Sequence, residues 1–279
     1  LFHSLTQKVV NRILEIELQR GDSETQVTRL AEELHRVYGA ETLIRILQAF
    51  GKDTFIRDSY NWRNTKRGVL SSLLHACYPS PDDDSDTLKS LASQADISHI
   101  RLVEAAMFAP QWLELTEEAT GWKGLESAAY YFHAHTSECF DDKKKAIIAR
   151  YTPIAIEDLQ EGAFDIDWFK EAYKTIGKER FEVVYNAAKY ISLSNTHTRA
   201  RKFADAVNGK TKAADAKKEI IAKRNKDLLM SYGLIPLGRK ADKELLERYQ
   251  FLQKFLKESK EFGAQRQDCL LYTSDAADE

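Results

Sequence analysis

The sequence predicts an all-α chain, an irregular multi-helix array of antiparallel helical hairpins that is α-solenoid or HEAT-like only loosely. Three observations predict it. Apolar residues recur at every third or fourth position along most of the length, which is the helical period. Glycine and proline are sparse, 12 and 5 in 279 residues, so few positions interrupt a helix. The most apolar stretch, Ile97 to Glu138, places Leu102, Val103, Met107 and Phe108 on nearly every side of a helix wheel, as a helix buried all round requires. No stretch shows the alternation of a strand.

The elements follow in order. Leu5, Val9, Val10, Ile13 and Leu14 keep the 3.6 period, and Gly21 stops the first helix. Ser23 with Gln26 forms a capping-box pattern ahead of Val27, Leu30, Ala31, Leu34 and Val37, so a second helix is expected there, ended by Gly39. Ala40 to Phe50 puts Leu43, Ile44, Leu47 and Phe50 on one face and closes at Gly51. Arg63 to Tyr78 carries the next stripe, from Val69 to Cys77. Pro79 to Asp86 breaks the pattern with two prolines and four aspartates and is read as a mobile, solvated loop. Pro110 cannot donate back to Ala106, so the central helix should kink there, and Gly121 ends its second half. Leu125, Ala128, Ala129 and Phe132 form the buried stripe of the following helix, and residues 141–151 run from acids to bases along another. Phe169, Tyr173 and Ile176, then Gly177, then Phe181, Val184 and Tyr185 make a helical hairpin. Ala200, Phe203, Ala204 and Val207 form the next helix. A long lysine-rich helix is expected from about Ala213 to Tyr232, and a last one from Leu245 to Phe262. Gly39-Ala-Glu and Gly177-Lys-Glu begin similar apolar stripes, a faint internal echo with too long an offset for a solenoid repeat.

Composition narrows the function classes. No apolar run approaches the roughly 18 residues that would span a bilayer. The formal charge of −2 gives no global argument for nucleic acid or an anionic surface. The chain begins at Leu1, inside a helical pattern, and is read as an interior fragment. Residues 269–279, CLLYTSDAADE, resemble the translation of a sequencing adapter from metagenomic reads and are set aside as non-native. Without them the formal charge is +1, and Cys77 and Cys139 remain, too few for a disulfide framework, which favours a cytoplasmic setting. The organisation expected is 1–78 as N-terminal hairpins, 79–96 as the acidic loop and a short helix, 97–232 as a central helical domain, and 233–268 as the start of a truncated C-terminal helical domain.

Few residues carry chemistry. GxxxxGK, GxGxxG, HExxH, CxxC and GxSxG are all missing, so no catalytic residue and no cofactor is assigned, and an enzyme is the less favoured class. His135 and Cys139, four apart on one helix face, are the only candidate metal pair; His133 lies about 200° round the axis from His135 and cannot share the ion. Glu126, Tyr130 and His133 share a helix side and form a candidate functional polar face. Between His197 and Asp227 ten Lys or Arg face four acids. Arg199, Arg201, Lys202, Lys217, Lys218, Lys223 and Arg224 are its candidate anion or nucleic-acid contacts. Phe203 is the only aromatic there that could stack on a base, so a solvated face is preferred. Glu104, inside the apolar helix, should pair with a cation or hydroxyl.

Three passages, Ala109 to Glu138, Asp165 to Lys210, and Gly233 to Gln267, resemble one bacterial family: large proteins carrying the domain of unknown function numbered 4132 with the adjoining region numbered 5724, some of them labelled molybdate metabolism regulator-like. The resemblance covers Gly39 to Gln267. It implies an interior helical segment of a long multidomain protein whose partners are the other domains of its parent chain or separate proteins, with no membrane. A non-catalytic scaffold or protein-interaction segment is therefore expected. The alternatives are a nucleic-acid-associated regulator that uses residues 197–226, and part of an enzyme whose site is completed by further sequence.

Overall fold

The structure is a computed structural model that describes residues 2–57, 62–136, 140–192 and 196–259. Among the described residues sixteen α-helices follow one another: Phe2–Leu18 (α1), Thr28–Glu32 (α2), Ala40–Phe50 (α3), Lys66–His75 (α4), Ser85–Gln94 (α5), His99–Phe108 (α6), Leu113–Thr120 (α7) and Leu125–Ala134 (α8). Then come Asp142–Ile148 (α9), Ile156–Glu161 (α10), Ile166–Ile176 (α11), Lys178–Ala187 (α12), His197–Val207 (α13), Ala213–Lys223 (α14), Lys226–Leu234 (α15) and Ala241–Ser259 (α16). The all-α class holds. The chain divides into two compact units, one of residues 1–153 and 167–197, the other of 154–166 and 198–279.

In the first unit α3 packs on α4 and α5, α5 on α7, α6 on α7 and α12, and α8 on α7, α9 and α12. The centre is aromatic. Phe108, Trp112, Tyr131, Phe132 and Phe169 are all less than 2% exposed or at that limit. Tyr131 meets Phe169 edge-on at 5.0 Å and Phe132 meets Phe181 at 5.7 Å, arrangements that add to the burial of these large rings. The kink expected at Pro110 is there: α6 ends at Ala109, and Pro110–Trp112 form a single 3-10 turn before α7. That turn aims the Trp112 indole N–H at the Cys77 carbonyl, 2.7 Å away. Gly121 ends α7 in the left-handed conformation, and Glu104 pairs with Arg101 at 3.0 Å.

Two local expectations in the first unit fail for identifiable reasons. The second helix is short, and Val27 precedes it without a side-chain cap, so the Ser23–Gln26 capping box does not start it. The nearby hydroxyls are engaged elsewhere. Thr25 and Thr28 both donate to Glu17, which is fully buried and paired with Arg20 at 3.0 Å. Arg20 in turn donates to the Asn64 carbonyl at 2.9 Å, so one buried ion pair ties α1 to the segment before α2 and to the connector before α4. The second failure is that Val37 and Tyr38 pair in parallel with Cys77 and Tyr78, a two-residue ladder too short to show any alternation. Gly39 does not end a helix. It heads α3 at φ 105°, ψ 144°, a region that a side chain disfavours.

The acidic loop is exposed at Pro81, Asp82 and Asp84, as a solvated loop should be, and is tied down at two of its aspartates. Asp83 accepts from the amides of Ser80 at 2.7 Å and Ala40 at 2.9 Å, and Asp84 caps α5 through Thr87 N–H at 2.7 Å.

In the second unit Ala206, Ala216, Ile220, Leu229, Tyr232 and Phe255 form the core. The long lysine-rich helix is broken in two. Arg224 turns left-handed at φ 44°, ψ 50°, and the Asn225 side chain caps α15 by accepting from Leu228 N–H at 3.1 Å. The Arg224 side chain anchors the break, lying 4.3 Å above the Phe255 ring centre and donating to Ser259 Oγ. Gly233 sits within α15 rather than at its end.

Candidate functional site

Helix α8 carries the candidate polar face. Its start is fixed by Gly124 at φ 86° and by the Glu117 carboxylate, which accepts from Gly124 N–H at 3.0 Å and Glu126 N–H at 2.8 Å. The three candidates then part company. Glu126 lies at the unit's edge, accepting from Tyr151 OH at 2.8 Å and facing Arg150 at 3.7 Å. Tyr151 is itself stacked parallel to Trp168, and the Trp168 indole donates to Ser127 at 2.9 Å. Tyr130 is 3% exposed; burial first, and the Glu126 carboxylate second, push its phenol far above the usual range. His133 is fully buried, 5.8 Å from the Tyr130 ring, with the Met107 main chain as a weak hydrogen-bonding neighbour. Burial, with the cations of Lys144 and Arg57 adding to it, holds this imidazole well below its ordinary range and therefore neutral.

His135 is 1% exposed, with Nδ1 2.8 Å from the Tyr131 carbonyl and its ring 4.8 Å from the Tyr131 ring. Cys139, its proposed co-ligand, lies outside the described residues. Among the described residues no group of three or more His, Cys, Asp or Glu is placed to hold a metal ion.

Part of the basic segment is paired within its own unit. Arg199 pairs with Asp227 at 2.7 Å and donates to the Gln160 carbonyl; Lys210 pairs with Asp205 at 3.5 Å, Lys223 with Glu219 at 3.5 Å, and Lys226 with Glu161 at 3.2 Å. Arg224 serves the helix break, and Arg201 is also engaged. Lys217 lies 5.3 Å from the Phe251 ring centre. Of the candidate contacts, Lys202 and Lys218 take part in no ion pair among the described residues.

A family model described as a family of unknown function, DUF5724, matches residues 1–269. The chain belongs to this family. No curated protein matches, and no solved structure matches. Every candidate residue above falls within the DUF5724 match.

Two clefts lie among the described residues of this DUF5724 chain. One of about 330 Å³ in the first unit is lined by Glu32, His35, Arg57, Ser71, Ser72 and His75 among others. Several of its polar groups are committed to the fold. Ser71 Oγ donates to the Arg67 carbonyl at 2.7 Å and accepts from Ile56 N–H at 2.9 Å. Arg57 donates to the carbonyls of Tyr190 at 2.8 Å and Phe108 at 2.7 Å, clamping its connector onto α6. His75, edge-on to Phe108, is pulled down to about 4 by loss of water around it and then by the Arg57 and Lys144 cations. A second cleft of about 440 Å³ lies between the start of α14 and the start of α16, where Lys217, Lys243, Glu244 and Arg248 meet. There Arg248 pairs with Glu244 at 2.6 Å, and Lys243 faces Glu247 at 3.9 Å.

Sequence reasoning missed the Glu17–Arg20–Thr25–Thr28 cluster and the Arg57 clamp. The first had a local signal, a Glu–Arg pair three apart at the end of a helix. The second had none, because its acceptors are main-chain carbonyls 51 and 133 residues away.

Proposed function

We propose that this chain is a non-catalytic helical scaffold or protein-interaction segment of a large, cytoplasmic, bacterial multidomain protein, in which it adjoins a domain of the 4132 family. One observation carries the reading. The ionisable groups of the centre are sealed in or paired, whereas α1 holds Leu5 and Val9, four apart on one side, 54% and 59% exposed to water. Large apolar groups repeated at helical spacing on an open face are what a docking helix presents to a partner. The partner proposed is another domain of the parent chain.

The test is a titration of the purified chain with the remaining domains of a parent protein expressed separately. Binding that is lost in the double variant Leu5→Glu, Val9→Glu supports the reading. Absence of binding, or binding indifferent to the two substitutions, contradicts it. A salt series with DNA and RNA addresses the regulator alternative, since phosphate contacts make affinity fall steeply with salt. The pairing within residues 199–227 leads us to expect no salt-sensitive complex.

A further inference from the structure

The chain holds two methionines, and the fold treats them differently. Met107, in α6, is 0% exposed. Met230, in α15, is half-buried, and the end of its side chain lies on the bare main chain of Gly162. Gly162 closes α10 in the left-handed region at φ 117° and is itself buried, although it has no side chain to shield it. A β-carbon there would collide with the Met230 methyl group and stand 2.8 Å from its sulfur, with Phe203 Cζ at 3.9 Å. The thioether thus fills the space that a side chain at residue 162 would take. The adjoining Glu161 is exposed, which puts this contact at the rim of the second unit.

We propose that Met230 is a reversible oxidation site whose sulfoxide releases the end of α10. The oxidant is a hydroperoxide, of which hydrogen peroxide is the simplest. The sulfur lone pair attacks one peroxide oxygen, the O–O bond breaks, and the other oxygen leaves as water, so that the thioether is oxidised to a sulfoxide and the peroxide reduced. The product does not fit where the thioether fits. Its oxygen is a hydrogen-bond acceptor on an atom pressed against Gly162, and the amides of that turn are already taken. Gly162 N–H donates to the Asp158 carbonyl at 2.9 Å and Ala163 N–H donates to the same carbonyl at 2.8 Å. A polar oxygen left there without a donor costs free energy. The sulfoxide therefore turns toward water, uncovering Gly162 and the edge of Phe203. The end of α10 then depends on its polar ties, among them the pair of Lys226 with Glu161 at 3.2 Å, whose carboxylate is 69% exposed and so adds little. The apolar core formed by Ala216, Ile220, Leu229 and Phe255 does not include Met230, so the opening is local. Methionine sulfoxide reductases return the thioether, which makes the change a switch.

The proposal is independent of the role given to α1. The test treats the whole 279-residue chain with graded hydrogen peroxide and reads the mass gain of one oxygen at each methionine. Amide hydrogen exchange over residues 156–164 is then followed by mass spectrometry. Met230 should be converted at least about tenfold faster than Met107, whose burial serves as the internal control. Exchange over 156–164 should rise about tenfold or more in the oxidised chain, and the two methionine sulfoxide reductases, one for each epimer, should return it to its starting rate. Met230→Leu keeps the volume and removes the sulfur, so its exchange should not respond to peroxide. A Met230 that resists peroxide as Met107 does overturns the proposal. So does an oxidised Met230 with unchanged exchange over 156–164, or a rise of equal size in Met230→Leu, which would trace to another oxidised group such as a cysteine.

Discussion

His133 is the residue where burial has the clearest measurable consequence. In the unfolded chain an imidazole takes up a proton near pH 6.5, whereas in the fold this one is held well below that by burial and two cations. The unfolded state therefore binds the proton first as pH falls, so stability is fully present above about pH 6.5 and declines below it, at up to about 1.4 kcal/mol per pH unit for one such group. His75, lowered to about 4, adds only a small slope of the same sign between those values, because its exposed ring is screened by solvent. Urea unfolding at a series of pH values should show this decline, and His133→Leu should flatten it to the part due to His75. An unchanged slope would mean that the ring is not sealed. At the other end of the first unit, Glu17→Gln should destabilise by about 3–5 kcal/mol, because it leaves Arg20 charged and buried without its counter-ion. Replacing both members with apolar residues should cost less, and chemical denaturation of the two variants decides between these outcomes. Neither role was legible in sequence. Periodicity marked His133 as helical but could not say how much protein covers it, and it read Glu17 and Arg20 as a helix end.

The elements were more legible than their ends. Most stripes spaced at three and four residues became helices, and the stops at Pro110, Gly121 and Gly51 are where backbone chemistry demands them. The errors share one cause, which is that a tertiary contact outweighed a local preference. The threonines beside α2 turned to Glu17, Arg224 left the helix to reach Ser259 and Phe255, and Val37 found Cys77 40 residues away. The faint echo in sequence has a counterpart here. Gly39 and Gly177 head α3 and α12 in nearly the same conformation, φ 105°, ψ 144° and φ 83°, ψ 154°. A β-carbon is strained in that region, so Gly39→Ala and Gly177→Ala should each destabilise by about 1–3 kcal/mol, as thermal unfolding would show. Asn225→Ala removes the cap of α15 and should cost about 1 kcal/mol, with Asn225→Asp restoring it.

For the whole molecule, sequence supplied the all-α class and part of the family, and the candidate site is where it was least able to discriminate. Seven cations in one segment look alike in sequence. For Arg199 and Lys226 of that segment the counter-ions, Asp227 and Glu161, emerge only when α10, α13 and α15 pack, whereas Lys210 and Lys223 pair with acids five and four residues away. A sealed aromatic centre therefore supports the helices of the first unit. The most direct measurement is the reaction of the native chain with diethyl pyrocarbonate at neutral pH, mapped residue by residue by mass spectrometry. His35 and His99 are exposed and should react, while His133 and His135, 0% and 1% exposed, should stay unmodified until the chain is denatured. Ready modification of His133 or His135 in the folded protein would show an open cleft where a core is claimed, and would contradict the scaffold reading.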